Sequence, residues 1–179
     1  TTGLLLFGAG IGFMLKSELG VPPWDVLHQG LAIQFGLTVG IWSILISFLV
    51  LLLWLPLRER YGIGTLLNAV IIGVMIDVTA LALPAPTDTG MAVALLAFGI
   101  LLIGFASGLY IGANLGPGPR DGLMTAFARR GHRLWLVRTV MELTALGIAW
   151  TTHVHAPVFT VDEARALRGA LADAMLEVD

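Results

Sequence analysis

The sequence predicts an all-α membrane protein, and three observations predict it. Hydrophobic residues make up 57% of the 179 residues and charged residues 12%, about half the ~25% charge of an ordinary soluble domain. Mean hydropathy is +0.89. The apolar residues gather in runs close to the roughly 20 residues a helix needs to cross a bilayer core. Clusters of glycine and proline, VPPW at 21–24 and GPGP at 116–119, then separate long apolar runs from short amphipathic ones. This composition excludes a disordered chain, a nucleic-acid binder and an ordinary soluble enzyme as first readings. Formal net charge is −2 and names no partner. With no cysteine there is no disulfide framework, thiolate metal site or catalytic thiol.

The runs give about five transmembrane helices in order: 1–15, 41–57, 63–83, 91–115 and 134–150. The chain opens Thr1-Thr2-Gly3 inside an apolar run, so the first span is expected to begin upstream. The fifth is the weakest, because it contains Arg138 and Glu142. Arg58 and Arg60 follow the second span, and Arg120, Arg129, Arg130 and Arg133 follow the fourth. Loops 20–40 and 84–90 have no Lys or Arg. The positive-inside rule then places 58–62, 116–133 and the N-terminus in the cytoplasm of a bacterial cell, with the protein in the inner membrane. Trp24, Trp42, Trp54 and Trp135 fall near span ends, where an aromatic belt is expected.

Residues 8–27 and 104–123 align without a gap at an offset of 96, with seven identities in twenty positions: Gly8, Gly12, Leu19, Gly20, Pro23, Asp25 and Leu27 against Gly104, Gly108, Leu115, Gly116, Pro119, Asp121 and Leu123. An odd number of spans per copy makes this a degenerate inverted repeat, the architecture of many secondary transporters. Repeat one covers about 1–83 and an incomplete repeat two about 91–150, together a membrane domain of 1–150. Residues 151–179 form a polar tail with a short C-terminal helix. Glycine every fourth residue (Gly104, Gly108, Gly112, Gly116) gives a smooth face for helix contact, or alternatively a substrate groove.

Each glycine-proline cluster ends a helix and opens a short one. Asp25 and Asp121 stand at the openings, either as caps for orphan N–H groups or as paired cation or proton sites in broken helices. Arg120 either contacts an anion or follows the charge bias. His28, one turn after Asp25, is either solvated or shares a proton with it. Asn68 and Asp77 lie within the third span, where a carboxylate is a functional candidate unless it reaches the outer interface. Arg138 and Glu142, four apart, neutralise each other on one helix face. No nucleophile, phosphate-loop, dinucleotide or zinc motif is present, so neither enzyme activity nor a cofactor nor a metal is expected.

The segments GVPPWDVLHQGL, YGIGTLLNAVIIGVMID, LGPGPRDGLM and VRTVMEL together resemble the YczE/YitT-like bacterial membrane proteins over about residues 1–145. The resemblance implies a multi-pass membrane protein, sometimes described as a transporter. It carries interest onto Pro23, Trp24, Asp25, Gly64, Thr65, Asn68, Asp77, Pro119, Arg120 and Asp121. It also implies a further glycine-rich turn and a last span after residue 145, where this chain departs from the pattern. Residues 146–169, ending HVHAPVFTVDEARALRG, instead resemble the start of YbaK/ProX-type prolyl-tRNA editing domains. They read as an extended segment followed by a helix from about Asp162. A strand there would set His153 and His155 on one face, with no third metal ligand in view. Together the two resemblances imply a chimera.

Three functions follow in order: a small-solute or ion transporter with Asp25, Asp121 and Asp77 at a midplane cavity; a non-transporting membrane protein whose glycine faces bind a membrane partner or a second copy; and a remnant of a tRNA editing domain. The expected partners are the lipid bilayer and a small solute or ion, and no nucleic acid.

Overall fold

The structure is a computed structural model that describes residues 1–59, 62–113 and 116–155. It is all-helical, in the order α1 (Thr2–Ser17), α2 (Pro23–Phe35), α3 (Val39–Leu52), α4 (Trp54–Leu57), α5 (Ile63–Ala82), α6 (Thr89–Gly112), α7 (Pro119–Arg129) and α8 (Leu134–His155). Local chemistry sets most of these ends. α1 stops at Glu18, which turns left-handed at φ 57°. α2 opens on Pro23, whose ring fixes φ and whose missing N–H would have no helical partner there, and it ends at Gly36 with φ 77°. Thr38 caps α3, its Oγ1 accepting from Ile41 N–H at 3.2 Å. Asp88 caps α6 through Met91 N–H at 2.9 Å. α7, like α2, opens on a proline, Pro119.

Three helical stretches are long and apolar enough to cross a membrane: 39–57, which joins α3 and α4, then α5 and α6. α1 is apolar but shorter, at 16 residues. Large apolar side chains face outward along these helices, among them Leu81 on α5 and Leu101 and Phe105 on α6, as suits a lipid rather than an aqueous surround. This is an all-α membrane protein.

α1 lies between α5 and α6, and α3 packs on α5. α2 packs on α8 and α3, while α7 packs on α3 and α8. Glycines permit the closest approaches. A β-carbon at Gly8 would lie 2.7 Å from the Ile72 carbonyl oxygen, and one at Gly10 would lie 3.0 Å from that of Gly99. Lipid offers no hydrophobic drive between helices, so such backbone proximity supplies the packing energy. The expected contact face on α6 is different. Among the described residues nothing lies within 4 Å of a β-carbon built at Gly104, Gly108 or Gly112.

Glu59 after α4 pairs with Arg129 and Arg130 at the end of α7. Two of the segments expected on one side of the membrane therefore do share a side of the bundle. The aromatic belt is less uniform than the sequence implies. Trp54 is 1% exposed, at the centre of a cluster with Val50, Leu51, Ala69 and Leu123, whereas Trp135 is exposed.

Candidate functional cleft

The two glycine-proline breaks meet. Gly20 and Gly116 both carry positive φ, 153° and 116°, conformations that side chains resist. Each is followed three residues later by the proline that opens a short helix. Two interactions hold the second break in place. Thr65 Oγ1 donates to the Pro117 carbonyl at 2.8 Å, and Trp54 Nε1 donates to the Pro119 carbonyl at 3.1 Å. Gly122 lies flat on the Trp54 ring, where a β-carbon would be 2.0 Å from Cζ2. Trp54→Phe removes the donor and also the distal ring edge on which Gly122 rests, so it is expected to cost more than the ~1 kcal/mol of the hydrogen bond alone, read as a clear fall in the unfolding midpoint in detergent.

The mouths of α2 and α7 open on a shared cleft. One cavity of about 90 Å³ is lined by Phe7, Asn68, Tyr110, Gly118, Arg120 and Asp121, among others. A second, of about 230 Å³, brings Pro23 and Trp24 together with Arg120, Asp121, Arg138 and Glu142. The Arg120 guanidinium stacks over the Trp24 ring, 5.1 Å from its centroid, a cation–π contact. Tyr110 donates its hydroxyl to Asp121 Oδ2 at 2.8 Å.

Of the residues singled out by sequence, Pro23, Trp24, Asn68, Pro119, Arg120, Asp121, Arg138 and Glu142 thus converge on the cleft. Arg138 and Glu142 pair at 2.9 Å as expected. Thr65 supports the cleft from behind, and Gly64 is buried beside it. Asp25, His28 and Asp77 do not line these cavities. Asp25 and His28 are 1% and 0% exposed, and His28 Nδ1 lies 3.3 Å from Asp25 Oδ1. The reading of a solvated histidine is therefore corrected: α2 packs on both α8 and α3, and His28 is wholly buried in the bundle beside Asp25. Nor is Asp25 a helix cap. Pro22 occupies that position in α2, without a side-chain bond, and Gly118 occupies it in α7.

Asp77 does cap a helix, but not its own. It accepts from Thr38 Oγ1 at 2.5 Å and from Gly40 N–H at 2.8 Å, which ties α5 to the N-terminus of α3. A carboxylate there satisfies orphan donors and meets the positive end of the helix dipole. Sequence reasoning missed Tyr110, which sits on an otherwise apolar run. It also missed Met124 and Met141, which line the cleft yet read in sequence as ordinary apolar positions.

A sequence model of a family of unknown function, DUF6198, matches residues 1–159. The chain belongs to this family. A Haemophilus influenzae relative, described as an uncharacterized protein, is 42% identical over 150 residues, 80% of this chain and 69% of the relative. The uncharacterized membrane protein YczE of Bacillus subtilis is 41% identical over 151 residues, 83% of this chain and 70% of its own length. The uncharacterized protein YyaS of the same organism is 33% identical over 125 residues, 68% of this chain and 62% of the relative. No solved structure matches. The YczE-like resemblance read from the motifs therefore stands.

The editing-domain resemblance of 146–169 is not supported. The DUF6198 match runs to residue 159, across the start of that segment. Helix α8 also continues to His155, where an extended segment was expected, so the strand that would have set His153 and His155 on one face does not form. Residues 156–179, with the helix expected from Asp162, lie outside the described residues.

Proposed function

We propose that this DUF6198 protein is a transporter of a small solute, whose path runs through the cleft between the N-termini of α2 and α7. The observation that carries the reading is the meeting of two broken helices at a cavity lined by opposite charges. Broken helices with their N-termini aimed at a shared cavity are how many secondary transporters hold polar solutes within an apolar bundle.

The repeat read from the sequence would support the same reading. α2 and α7 open on prolines 96 residues apart, Pro23 and Pro119, each behind a glycine of positive φ. The neighbours also correspond: α2 packs on α8 as α7 packs on α3, and α1 packs on its own counterpart, α6. On this reading α1, α3 with α4, α5, α6 and α8 are five spans with a cytoplasmic N-terminus in the bacterial inner membrane. The arginines paired to Glu59 lie on the cytoplasmic side.

A second reading draws on the uncovered glycines of α6. Gly8 and Gly12 are covered by α5, but their counterparts Gly104 and Gly108 have no atom of the described residues within 4 Å. A non-transporting protein would use that face to hold another membrane helix.

One measurement separates the two. The chain has no native cysteine, so Met124→Cys places a single thiol in the cleft. A membrane-impermeant maleimide is expected to label it from either face of oriented vesicles, because a transporter exposes its site alternately. Labelling from one face only would overturn transport and leave the helix-partner reading.

A further inference from the structure

We infer that the cleft recognises a small zwitterion, with Arg120 taking its carboxylate and Asp121 its cationic group. The inference deepens the transport reading by naming the solute class, but it concerns binding and is tested as binding.

Some of the charges at and near the cleft are already satisfied. Arg138 and Glu142 neutralise each other, and Asp25 is buried against His28. Arg120 and Asp121 remain. They are neighbours on the first turn of α7, yet among the described residues they form no ion pair with each other or with any other group. Two contacts hold them apart. Tyr110 binds Asp121 at Oδ2, and the Trp24 face holds the Arg120 guanidinium. Among the described residues, Asp121 Oδ1 has no hydrogen-bond partner and Arg120 has no acceptor. Both residues are half-buried, and both line the two adjoining cavities.

Half-buried charges of opposite sign, each with vacant bonding capacity, select against singly charged solutes. A simple anion would meet Arg120 but be repelled by Asp121. A simple cation would meet Asp121 but be repelled by Arg120. A molecule carrying both charges satisfies both groups and loses least on leaving water. Phe7, Met124 and Met141 complete the larger cavity and suit a short aliphatic body. Its volume, about 230 Å³, admits a solute of only a few carbons. Methionine tolerates differing shapes there, because its unbranched chain has several rotamers to offer.

The test uses the protein in lipid nanodiscs and a matched series: 2-aminopentanoate, pentanoate, which lacks the amine, and butylammonium, which lacks the carboxylate. Calorimetric titration and the thermal midpoint are read together. 2-Aminopentanoate is expected to bind and to raise the midpoint, while the two singly charged compounds bind about tenfold more weakly or less. Arg120→Gln is expected to abolish binding of the zwitterion. Asp121→Asn is expected to reverse the preference, so that pentanoate binds at least as well as 2-aminopentanoate. The second variant keeps the test decisive should the first fail to fold.

Equal binding of pentanoate and 2-aminopentanoate by the native protein would overturn the inference, as would no binding of 2-aminopentanoate, or binding unchanged in a folded variant. Zwitterion binding with one-sided labelling of Met124→Cys would overturn transport alone. Two-sided labelling without zwitterion binding would overturn the solute class alone.

Discussion

Gly40→Val is expected to prevent the bundle from forming. A β-carbon at Gly40 would lie 2.1 Å from the Gly73 carbonyl oxygen and 2.5 Å from Asp77 Oδ2. The first of these is backbone and has no rotamer to yield. The opposing Gly73 is equally crowded, since a β-carbon there would lie 2.6 Å from the Gly40 carbonyl oxygen. Neither helix can retreat cheaply. Separating α3 from α5 also pulls Asp77 off Thr38 Oγ1 and the Gly40 amide, which leaves that amide without its partner. Ordinary overpacking, which side chains can partly relieve, costs roughly 1–3 kcal/mol, and loss of the Asp77 bonds adds about 1 kcal/mol. That sum is already a large fraction of a stability of about 5–15 kcal/mol, and the backbone clash at Gly40, which no rotamer relieves, raises the cost beyond it. The expected result is loss of the monodisperse peak in size-exclusion chromatography in detergent. Gly104→Val, on the uncovered face of α6, is expected to elute as the native protein does. Equal behaviour of the two variants would refute the α3–α5 crossing.

The second large effect is expected at Asp25→Ala. The carboxylate is the partner of His28 Nδ1, and among the described residues His28 Nε2 already has none. Removing Asp25 strands a wholly buried imidazole with neither nitrogen satisfied, at a cost of about 3 kcal/mol. The loss arises from the group left behind. Replacing both residues by leucine is therefore expected to recover much of it, because two apolar side chains at a helix contact leave no polar atom unpaired. Denaturant unfolding of the native protein, Asp25→Leu, His28→Leu and the double leucine variant reads this as a coupling energy. Strictly additive losses would show that the pair does not act as a unit.

Much of the architecture was legible along the chain. Apolar run length marked the long helices, and proline marked the openings of α2 and α7, because its ring dictates the backbone whatever surrounds it. The match between Gly20-Pro23-Asp25 and Gly116-Pro119-Asp121 likewise picked out both breaks, since glycine and proline restrict conformation locally. Three-dimensional partners were not legible. Asp25 and Asp121 align in the sequence, yet one is sealed against His28 while the other faces a cavity under Tyr110. Their difference depends on what meets each, a buried His28 on the one side and Tyr110 of α6 at the cavity on the other. Asp77 read as an intramembrane carboxylate with functional promise, and its contacts make it the cap of a neighbouring helix.

The editing-domain resemblance failed for a related reason. A short segment carries too little context to decide between helix and strand, and α8, packed on α2, carries the helix to His155. By itself, then, the sequence determined the membrane class, the helix breaks and the inventory of charges, because these depend on composition and on residues whose backbone preferences are intrinsic. Spacing along one helix allowed the pairs Arg138–Glu142 and Asp25–His28. Only the tertiary structure decided which charges are sealed and which stay open: Asp25 is buried with His28, whereas Arg120 and Asp121 are held apart by Trp24 of α2 and Tyr110 of α6. Burial and these cross-helix contacts depend on distances between helices, and spacing along one chain does not set those distances.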